Sequence, residues 1–403
     1  MPVSLPDGLL LRTAQQADLD QIAHLLTVRG EPADAVDHRL VVEDPDAGWD
    51  CCAVVVDGDR VVSTATLLDE TLFLGGVAVP AGQVELVATN RAYEGRGLVR
   101  ALMDWAHRRS AQRGHLAQVM IGIPYFYRQF GYQYAIDLPQ TRGLRTAPPV
   151  PDGHLGRIAG PADLDLLARQ QDEVQQAYDL RMPHSTACWR WLVARDGSQQ
   201  LVVERGGQAV ASGRLTAIED DPVVLGEVAA VDGPAAQALL GYAIDRAGGR
   251  RLRVKERPGS VAGDALEPFL TPRARAVERY YVRVADVVAL LERLRPVLSA
   301  RLATSPLGGE IGEAVVSFFR HHVRIPYAAG EVGPVQAGGR MQAPGSVGGA
   351  GVAPDLIGPL LFGPDGIAGL VERHPDVYAG RNEALMATLF PPVRADLLTF
   401  YLP

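Results

Sequence analysis

Two glycines next to the predicted start of a helix are the clearest sign of chemistry in this sequence. The segment YEGRGL at 93–98 follows a strand predicted over 83–89 and precedes a helix predicted over 98–113. Gly95 and Gly97 would let the backbone approach a ligand closely. The unpaired N–H groups of the first helical turn, together with the helix dipole, attract anions such as a pyrophosphate. The pattern therefore indicates a phosphate-binding turn.

Two common phosphate-binding motifs do not fit this segment. A dinucleotide fingerprint requires a third small residue three positions after Gly97, where the chain has Arg100. A Walker-type loop requires Gly-Lys-Ser or Gly-Lys-Thr, and the only lysine in the chain is Lys255. Paired glycines also occur in tight turns that bind nothing, so the context has to decide. Arg91, Arg96 and Arg100 add positive charge around the turn.

The elements that position this turn are a strand before it and a helix, a strand and a short helix after it. Alternation in the first strand places Val84 and Leu86 on one face and Glu85 on the other. Residues 116–123 predict the second strand, and residues 124–132 predict the short helix, which is rich in aromatic residues. The turn thus lies between two strands, as a ligand-binding turn in a mixed fold would.

Internal similarity predicts a duplicated domain. Residues 12–20 resemble residues 157–165, each a short strand, a turn and an amphipathic helix. Residues 53–65 resemble residues 201–213, and both segments predict a β-hairpin around a glycine-containing turn. Where the first copy has the two glycines, the second has DGPAAQA at 232–238. We therefore expect the second copy to bind no phosphate-containing ligand.

Two boundaries divide the chain into predicted domains of residues 1–146, 147–281 and 282–403. A proline-rich linker over 146–153 separates the two copies, and the duplicated pattern ends near 280–283. The remaining sequence resembles neither copy. In it we expect a helix over 284–302, strands over 314–319 and 322–325, hairpin turns or a mobile loop over 329–354, and helices around 356–361 and 383–389.

Charge and composition exclude several classes of protein. The 403 residues include 39 Lys plus Arg and 47 Asp plus Glu, a net charge of −8, which argues against a protein that wraps nucleic acid or lies on an anionic membrane. No apolar run reaches the roughly 18 residues that span a bilayer. The first residues lack the basic and apolar regions of a signal peptide, so we expect a cytoplasmic protein.

The cysteines and histidines predict neither a metal site nor a disulfide. Cys51, Cys52 and Cys188 are odd in number and have no spacing typical of metal ligands. His321 and His322 are adjacent, and neighbours in a strand point to opposite faces. We expect the cysteines to be small buried hydrophobic residues.

The segment 87–98 resembles the acetyl-coenzyme A loop of the GNAT acetyltransferase superfamily, in the form V-A-T-x-x-x-Y-x-G-R-G-L. It departs from the usual residues at Glu94, where Arg or Gln is common, and at Val99, where Gly or Ala is common. Glu94 would repel a pyrophosphate unless it turned away. The resemblance implies an α+β fold of mixed, mainly antiparallel sheets with flanking helices. It also implies that acetyl-CoA is bound by Leu86, Val87, Ala88, Glu94, Gly95, Arg96, Gly97, Leu98 and Val99.

The same resemblance implies two catalytic roles. In the superfamily, a tyrosine on the short helix lies near the thioester sulfur and can protonate the departing thiolate, and Tyr127 matches it best. An acidic residue on the strand before the loop often accepts the proton of the attacking ammonium, which makes Glu85 the candidate base. The alternatives are that Tyr127 is a core aromatic residue and that Glu85 faces solvent.

The arrangement of all three domains resembles the enhanced-intracellular-survival (Eis) type of N-acetyltransferase. Further matching motifs are the segments 126–132, 351–356 and 373–376. The resemblance implies a sterol-carrier-protein-like C-terminal domain, a second GNAT-like domain without a coenzyme loop, and a homo-oligomer, namely a hexamer. It also implies that the terminal carboxylate, here that of Pro403, enters the first active site as a base.

We therefore expect a transferase that moves an acetyl group from acetyl-CoA directly to a primary amine. The acceptor would be an aminoglycoside-like or other small amine, or a peptide amine, with no nucleic-acid or membrane partner. Acidic residues at 34, 37, 43 and 44 either attract a cationic acceptor or form a solvated face. The alternatives are a non-catalytic acyl-CoA-binding sensor or scaffold, and a lipid-carrier role for the last domain.

Overall fold

The computed structural model describes residues 2–216, 221–275 and 277–401. The chain is described in three segments, and the first contains seven strands and three α-helices. Its elements are β1 (Val3–Ser4), β2 (Leu10–Thr13), α1 (Leu19–Arg29), α2 (Pro32–Val42), β3 (Cys52–Asp57), β4 (Arg60–Leu74), β5 (Val77–Thr89), α3 (Leu98–Gln112), β6 (Ala117–Met120) and β7 (Gln133–Asp137). The helix predicted over 98–113 is confirmed as α3.

The second segment repeats this succession of elements. It contains β8 (Thr141–Gly143), β9 (His154–Ile158), α4 (Leu164–Gln175), β10 (Leu180–Met182), α5 (Thr186–Ala194), β11 (Ser198–Arg205), β12 (Gln208–Thr216), β13 (Val223–Ala230), α6 (Gly233–Ala247), β14 (Leu252–Lys255) and α7 (Val261–Leu266). Its sheet has the strand order β8-β14-β13-β12-β11-β9. Only β13 and β14 run parallel in this sheet.

The third segment contributes its own sheet and also completes the first one. It contains β15 (Arg279–Val284), α8 (Val287–Arg293), α9 (Arg295–Ala303), β16 (Ile311–Ser317), β17 (His322–Ala328), β18 (Glu331–Val332), β19 (Gln336–Gly338), β20 (Ala350–Gly351), α10 (Ile357–Phe362), α11 (Gly366–Arg373), α12 (Glu383–Leu389) and β21 (Ala395–Leu397). Its own sheet has the order β18-β17-β16-β20, with β19 also paired to β17.

The single helix predicted over 284–302 is wrong, because α8 and α9 are separate helices that meet at Leu294. Pro296 in the first turn of α9 has no N–H with which to continue the preceding helix. The glycine-rich stretch over 329–354 forms the short strands β18, β19 and β20 and one turn of 3₁₀ helix.

The first sheet draws strands from all three segments. Its main order is β1-β2-β3-β4-β5-β6-β15-β7, and β10 joins β4 to β21. The predicted boundary after residue 281 therefore falls inside β15, which is hydrogen-bonded between β6 and β7. Helices α1 and α2 cover one face of the sheet, and α3 packs on the other. The predicted α+β class, with mainly antiparallel sheets, is confirmed.

Both large sheets contain the same β-bulge. In the first, Thr64 pairs with Ala88 and Thr66 pairs with Glu85, so that Leu86 and Val87 oppose one residue. In the second, Ser212 pairs with Ala229 and Arg214 pairs with Gly226. Leu86 and Glu227 both have the left-handed φ of 52° at this place. The two segments thus share an irregularity as well as an order of elements.

The bulge corrects one expectation about β5. Alternation puts Leu86 on the face of Val84, but the extra residue shifts the side chains that follow it. Val84 packs in the cluster beneath α3, whereas Leu86 and Ala88 pack in the cluster with α1 and α2. Glu85 precedes the shift, so its place opposite Val84 is unaffected.

None of the helices in the described ranges is long and apolar enough to span a membrane. Within the same ranges, no cluster of three His, Cys, Asp or Glu side chains is arranged to hold a metal ion. All three cysteines are buried and unpaired.

Candidate active site

The glycine turn presents a row of backbone N–H groups at the start of α3. The Asn90 side chain accepts a hydrogen bond from the Ala92 amide and begins a 3₁₀ turn over Arg91–Tyr93. Gly95 and Gly97 then take left-handed φ values of 76° and 78°, which favour glycine. Helix α3 follows directly, with Gly97 as its N-cap.

These N–H groups have no hydrogen-bond partner among the described residues. Across the described ranges, the amides of residues 95–100 donate to no backbone or side-chain oxygen, and the first acceptor used is the Gly97 carbonyl, bound by Ala101. The first turn of α3 contains no acidic residue. Free amides combined with the positive end of a 15-residue helix form a site for an anionic group such as a pyrophosphate.

Glu94 is turned away from this row of amides. Its carboxylate forms an ion pair with the Arg29 guanidinium at the end of α1. Arg96 lies over the ring of Tyr93 at 4.8 Å, and Arg100 lies over the ring of Phe130 at 5.2 Å. The negative charge is thus neutralised by α1, and both arginines stay next to the turn.

Strands β5 and β6 separate beside the turn. Their parallel pairing ends at Gln83 and Val119, and the bulge at Leu86 and Val87 follows directly on β5. Leu86, Val87 and Ala88 lie along β5 between Glu85 and the turn. Leu98 is buried against the sheet below α3, while Val99 packs at the edge of the aromatic cluster.

Tyr127 lies in the 3₁₀ helix Phe126–Phe130, which follows β6. Its ring contacts the rings of Tyr132 and Tyr281, and a Cβ at Gly122 would clash with it. Burial, and then the negative charge of Glu85, raise the pKa of the Tyr127 phenol well above its usual value. Its hydroxyl donates to no group within the described residues. The phenol is therefore protonated at neutral pH and available as a donor.

Glu85 is half-buried on β5. Its Oε1 accepts a hydrogen bond of 2.7 Å from Nε2 of Gln83. Burial raises the pKa of the Glu85 carboxyl to about 8, the charge of Asp34 acts in the same direction, and the bond from Gln83 opposes them. A carboxyl with a pKa near 8 is a stronger base than an ordinary glutamate and can exchange a proton with an ammonium group.

The C-terminal end of the chain reaches the same place. Nε2 of Gln83 also donates to Oγ1 of Thr399, at 2.9 Å. Tyr401 is the last described residue, and its hydroxyl is buried. Pro403, the predicted terminal base, lies outside the described residues.

Sequence reasoning missed several groups of this site. Gln83 could have been found, because it lies two residues before Glu85 on the same strand face. Glu70 on β4 faces the same side, and burial, with the charges of Asp69 and Glu85, raises the pKa of Glu70 to about 8. No local signal points to Thr399, which is 316 residues away from Gln83 in the chain.

The acidic residues before β3 mostly have structural partners. Asp37 is buried and forms a two-pronged ion pair with Arg195, at 2.6 and 2.7 Å. Asp44 pairs with Arg190 at 2.9 Å. Asp34 accepts a hydrogen bond from the Glu31 amide at the start of α2. These residues fix α2 and α5 to one another beside the site.

Comparison with known proteins agrees with this geometry. Residues 11–135 match the model of the acetyltransferase (GNAT) domain. No curated protein sequence matches the chain. The solved structure of a GCN5-related N-acetyltransferase from Anabaena variabilis ATCC 29413 is similar, with a TM-score of 0.68 and 15% identity, covering 96% of this chain and 99% of that chain.

Two further solved structures match over nearly the full length. A protein of unknown function from Enterococcus faecalis V583, described as a probable N-acyltransferase, has a TM-score of 0.70 and 13% identity, covering 97% of this chain and 99% of that one. Eis1 from Mycobacterium abscessus has a TM-score of 0.60 and 17% identity, covering 96% and 99%. Residues 11–135 thus match a GNAT acetyltransferase domain, and the chain shares its fold with these solved structures.

Proposed function

We propose that the protein is an N-acetyltransferase that moves the acetyl group of acetyl-CoA to a primary amine. The observation that carries the proposal is the row of amides at residues 95–100, which have no acceptor within the described residues and follow β5 beyond the point where it separates from β6. Glu85 and Tyr127 lie near enough to one another for the charge of Glu85 to raise the pKa of the Tyr127 phenol. The amides and the nearby Arg96 and Arg100 bind the pyrophosphate of the co-substrate. The bulge at Leu86 and Val87 leaves backbone groups free for its amide arm.

Transfer is direct, with no covalent enzyme intermediate. Glu85 takes a proton from the ammonium of the acceptor, directly or through water, and frees the nitrogen lone pair. The nitrogen attacks the thioester carbon, a C–N bond forms, and the C–S bond breaks. Tyr127 gives its phenolic proton to the departing thiolate. The acceptor nitrogen loses two protons in all. One passes from Glu85 to the Tyr127 phenolate, directly or through water, and the other leaves to solvent, so both residues return to their starting state.

The acceptor in this proposal is an aminoglycoside-like or other small amine. Support comes from two carboxyls on the same face of the first sheet, Glu70 on β4 and Glu85 on β5. A cationic acceptor next to either carboxyl would stabilise its ionised form. Acetyl transfer to a peptide amine is the other acceptor class that the same chemistry permits.

The Eis-type assignment belongs to the proposal as well. It includes three domains of residues 1–146, 147–281 and 282–403, the last resembling a sterol carrier protein, in a cytoplasmic hexamer. The full-length similarity to Eis1 from Mycobacterium abscessus supports it. Mass photometry of the purified protein tests the hexamer, and lipid extraction followed by mass spectrometry tests a carrier role of residues 282–403.

The first experiment follows free-thiol release from acetyl-CoA with a panel of amines. Amine-dependent release establishes the transferase. Tyr127→Phe should lower kcat about 10²-fold and leave the Kd for acetyl-CoA unchanged, because the phenol acts only on the leaving group. Tyr125→Phe is the matched control, since Tyr125 is 73% exposed and two positions away. Tight binding of acetyl-CoA without release by any amine would favour the sensor instead.

A truncation separates the two candidate bases. Removal of residues 402–403 deletes the native terminal carboxylate but retains Thr399 and its bond with Gln83. If Glu85 is the base, kcat/KM of the truncated protein still rises with pH on the acid side of its profile, and we call this rise the acid limb. Loss of that limb on truncation, with Glu85→Gln retaining it, would assign the base to Pro403.

A further inference from the structure

The last described residues, 395–401, begin as β21 in the first sheet, and we call them the tail. Strand β21 runs parallel to β10, and the Leu398 amide donates to the Met182 carbonyl at 2.9 Å. The tail then continues as Thr399, Phe400 and Tyr401 towards β5. Its path is set by the second segment, which contacts it at two buried arginines.

The first contact is Arg257, at the open end of β14. Its Nε and Nη2 donate to Asp396 of the tail at 3.0 and 2.6 Å. Nη1 reaches back across the opening to the Val228 carbonyl on β13, at 3.3 Å. Gln175 adds a bond of 2.9 Å to the Asp396 carbonyl. In the second segment, Arg257 thus links β13 to the tail beyond the last β13–β14 pair.

The second contact is Arg214, which is fully buried. Its Nη2 donates to the Thr399 carbonyl at 3.1 Å, and its Nη1 donates to the Phe400 carbonyl at 3.2 Å. Glu227, the bulge residue of β13, lies 2.7 Å from Nη2 and also accepts from His184 at 2.9 Å. Arg214 therefore fixes two consecutive carbonyls of the tail, and its own charge is compensated.

The tail is linked to the proposed base through the side chain of Gln83. Oγ1 of Thr399 and Oε1 of Glu85 accept from the same nitrogen, Nε2 of Gln83, at 2.9 and 2.7 Å. The two bonds use both hydrogens of that amide nitrogen. Thr399 therefore fixes the rotation of the Gln83 amide, and the Gln83 amide in turn orients the Glu85 carboxyl.

We propose that the second segment clamps the tail and that Arg214, through Thr399 and Gln83, positions Glu85 for proton transfer. The inference rests on the proposed function, in which Glu85 is the base. Arg214, Thr399 and Gln83 are positioning residues, since none of them exchanges a proton with the acceptor. The second copy of the duplicated domain thereby serves the active site of the first.

The central experiment is a double-mutant cycle between the tail and Gln83. Thr399→Val keeps the shape of the side chain and removes the hydroxyl, and Gln83→Leu removes the link. Thr399→Val should lower kcat about tenfold and move the acid limb of the pH profile to higher pH. The Gln83 amide is then no longer fixed by Thr399, so its bond to Glu85, which favours the ionised carboxyl, is weakened. In the Gln83→Leu background, Thr399→Val should lower kcat less than about twofold.

The clamp itself is tested with Arg214→Gln combined with Glu227→Gln, because removing one charge alone would leave the other buried and unpaired. Hydrogen exchange measured by mass spectrometry should be at least tenfold faster in a peptide over 395–401, and kcat should fall as in Thr399→Val. The matched control is Arg205→Gln combined with Asp232→Asn, an exposed pair of the same segment. It should change neither tail exchange nor kcat.

The outcomes separate the inference from the proposed function. Equal loss of kcat by Thr399→Val in both backgrounds, or unchanged tail exchange in the Arg214 variant, overturns the inference while amine-dependent transfer by the unmodified protein upholds the function. Absence of transfer in the unmodified protein overturns the function and the positioning of Glu85 with it. Faster tail exchange in the Arg214 variant would still support the clamp.

Discussion

The two copies of the duplicated domain have the same β-bulge but different charged residues at it. The first has Thr66 paired with Glu85 and Leu86 at the left-handed position. The second has Arg214 paired with Gly226 and Glu227 at the left-handed position. The first bulge therefore carries a carboxyl that forms no ion pair within the described residues, whereas the second carries a buried ion pair.

The N-terminus of the helix that follows the bulge also has free polar groups in the first copy and satisfied ones in the second. In the first copy, α3 begins at Gly97 with no side-chain cap. In the second copy, the Asp232 side chain accepts from the Ala235 amide at 2.9 Å and caps α6, and Arg205 pairs with that carboxylate. A helix end that already holds a carboxylate has little attraction left for a phosphate. The same scaffold can therefore bind a ligand where its polar groups have no internal partner, as in the first copy. Where internal partners satisfy those groups, as in the second copy, it serves a structural role.

The largest effect on stability is expected at the buried ion pair by which the second copy holds the tail. Arg257→Met leaves Asp396 buried without its partner, and we expect a loss of about 3–5 kcal/mol in the free energy of unfolding. Denaturant titration measures it. Arg273→Met is the control, because Arg273 is half-exposed, and should cost under about 1 kcal/mol. Similar losses of stability in both variants would mean that the Arg257–Asp396 pair contributes no more than a half-exposed ion pair.

Glu85 is the carboxyl at the bulge of the first copy, and its titration tests that half of the comparison. Since burial raises its pKa to about 8, the ionised base forms as the pH rises through 8, and kcat/KM should rise with an acid limb near that pH. Glu85→Gln should lower kcat about 10²- to 10³-fold and abolish the limb. A limb that persists in this variant, measured from pH 5.5 to 9.5, would assign the titration to another group.

The glycine turn tests whether free amides bind the co-substrate. Gly97→Ala adds a Cβ at φ 78°, and the strain of about 1 kcal/mol should distort the turn and raise the Kd for acetyl-CoA about tenfold. Gly207→Ala is the matched control, because it has the same φ of 78° in the hairpin of the second copy. Calorimetric titration should show an unchanged Kd in the control. Equal changes in both would indicate a general loss of stability.

The smallest effect is expected at Glu94. Glu94→Gln removes its ion pair with Arg29, an exposed contact worth about 0–1 kcal/mol. It also frees a positive charge near the turn, so the Kd for acetyl-CoA should fall by less than about threefold. The gain should disappear at high salt, because exposed charges are screened. A rise in Kd of tenfold would show that the ion pair holds the turn in its binding shape.

Most of the local structure could be predicted from local patterns. The turn at Gly95 and Gly97 and the start of α3 follow from glycine conformation and an apolar helical period. The side of Glu85 follows from alternation, because it precedes the bulge. The bulge at Leu86 could not be predicted, since a left-handed leucine has no local preference and is held by the ladder around it.

The sequence by itself determined the residue types of the turn, the duplication and the two copies' different chemistry at the helix start. Only the tertiary structure decided which groups meet there. Glu94 is neutralised by Arg29, 65 residues earlier, and Gln83 is bound by Thr399, 316 residues later. Short-range spacing specifies what the backbone does over one or two turns. Contacts between remote residues depend on how whole sheets pack, and on where the last strand finds partners for its buried polar groups.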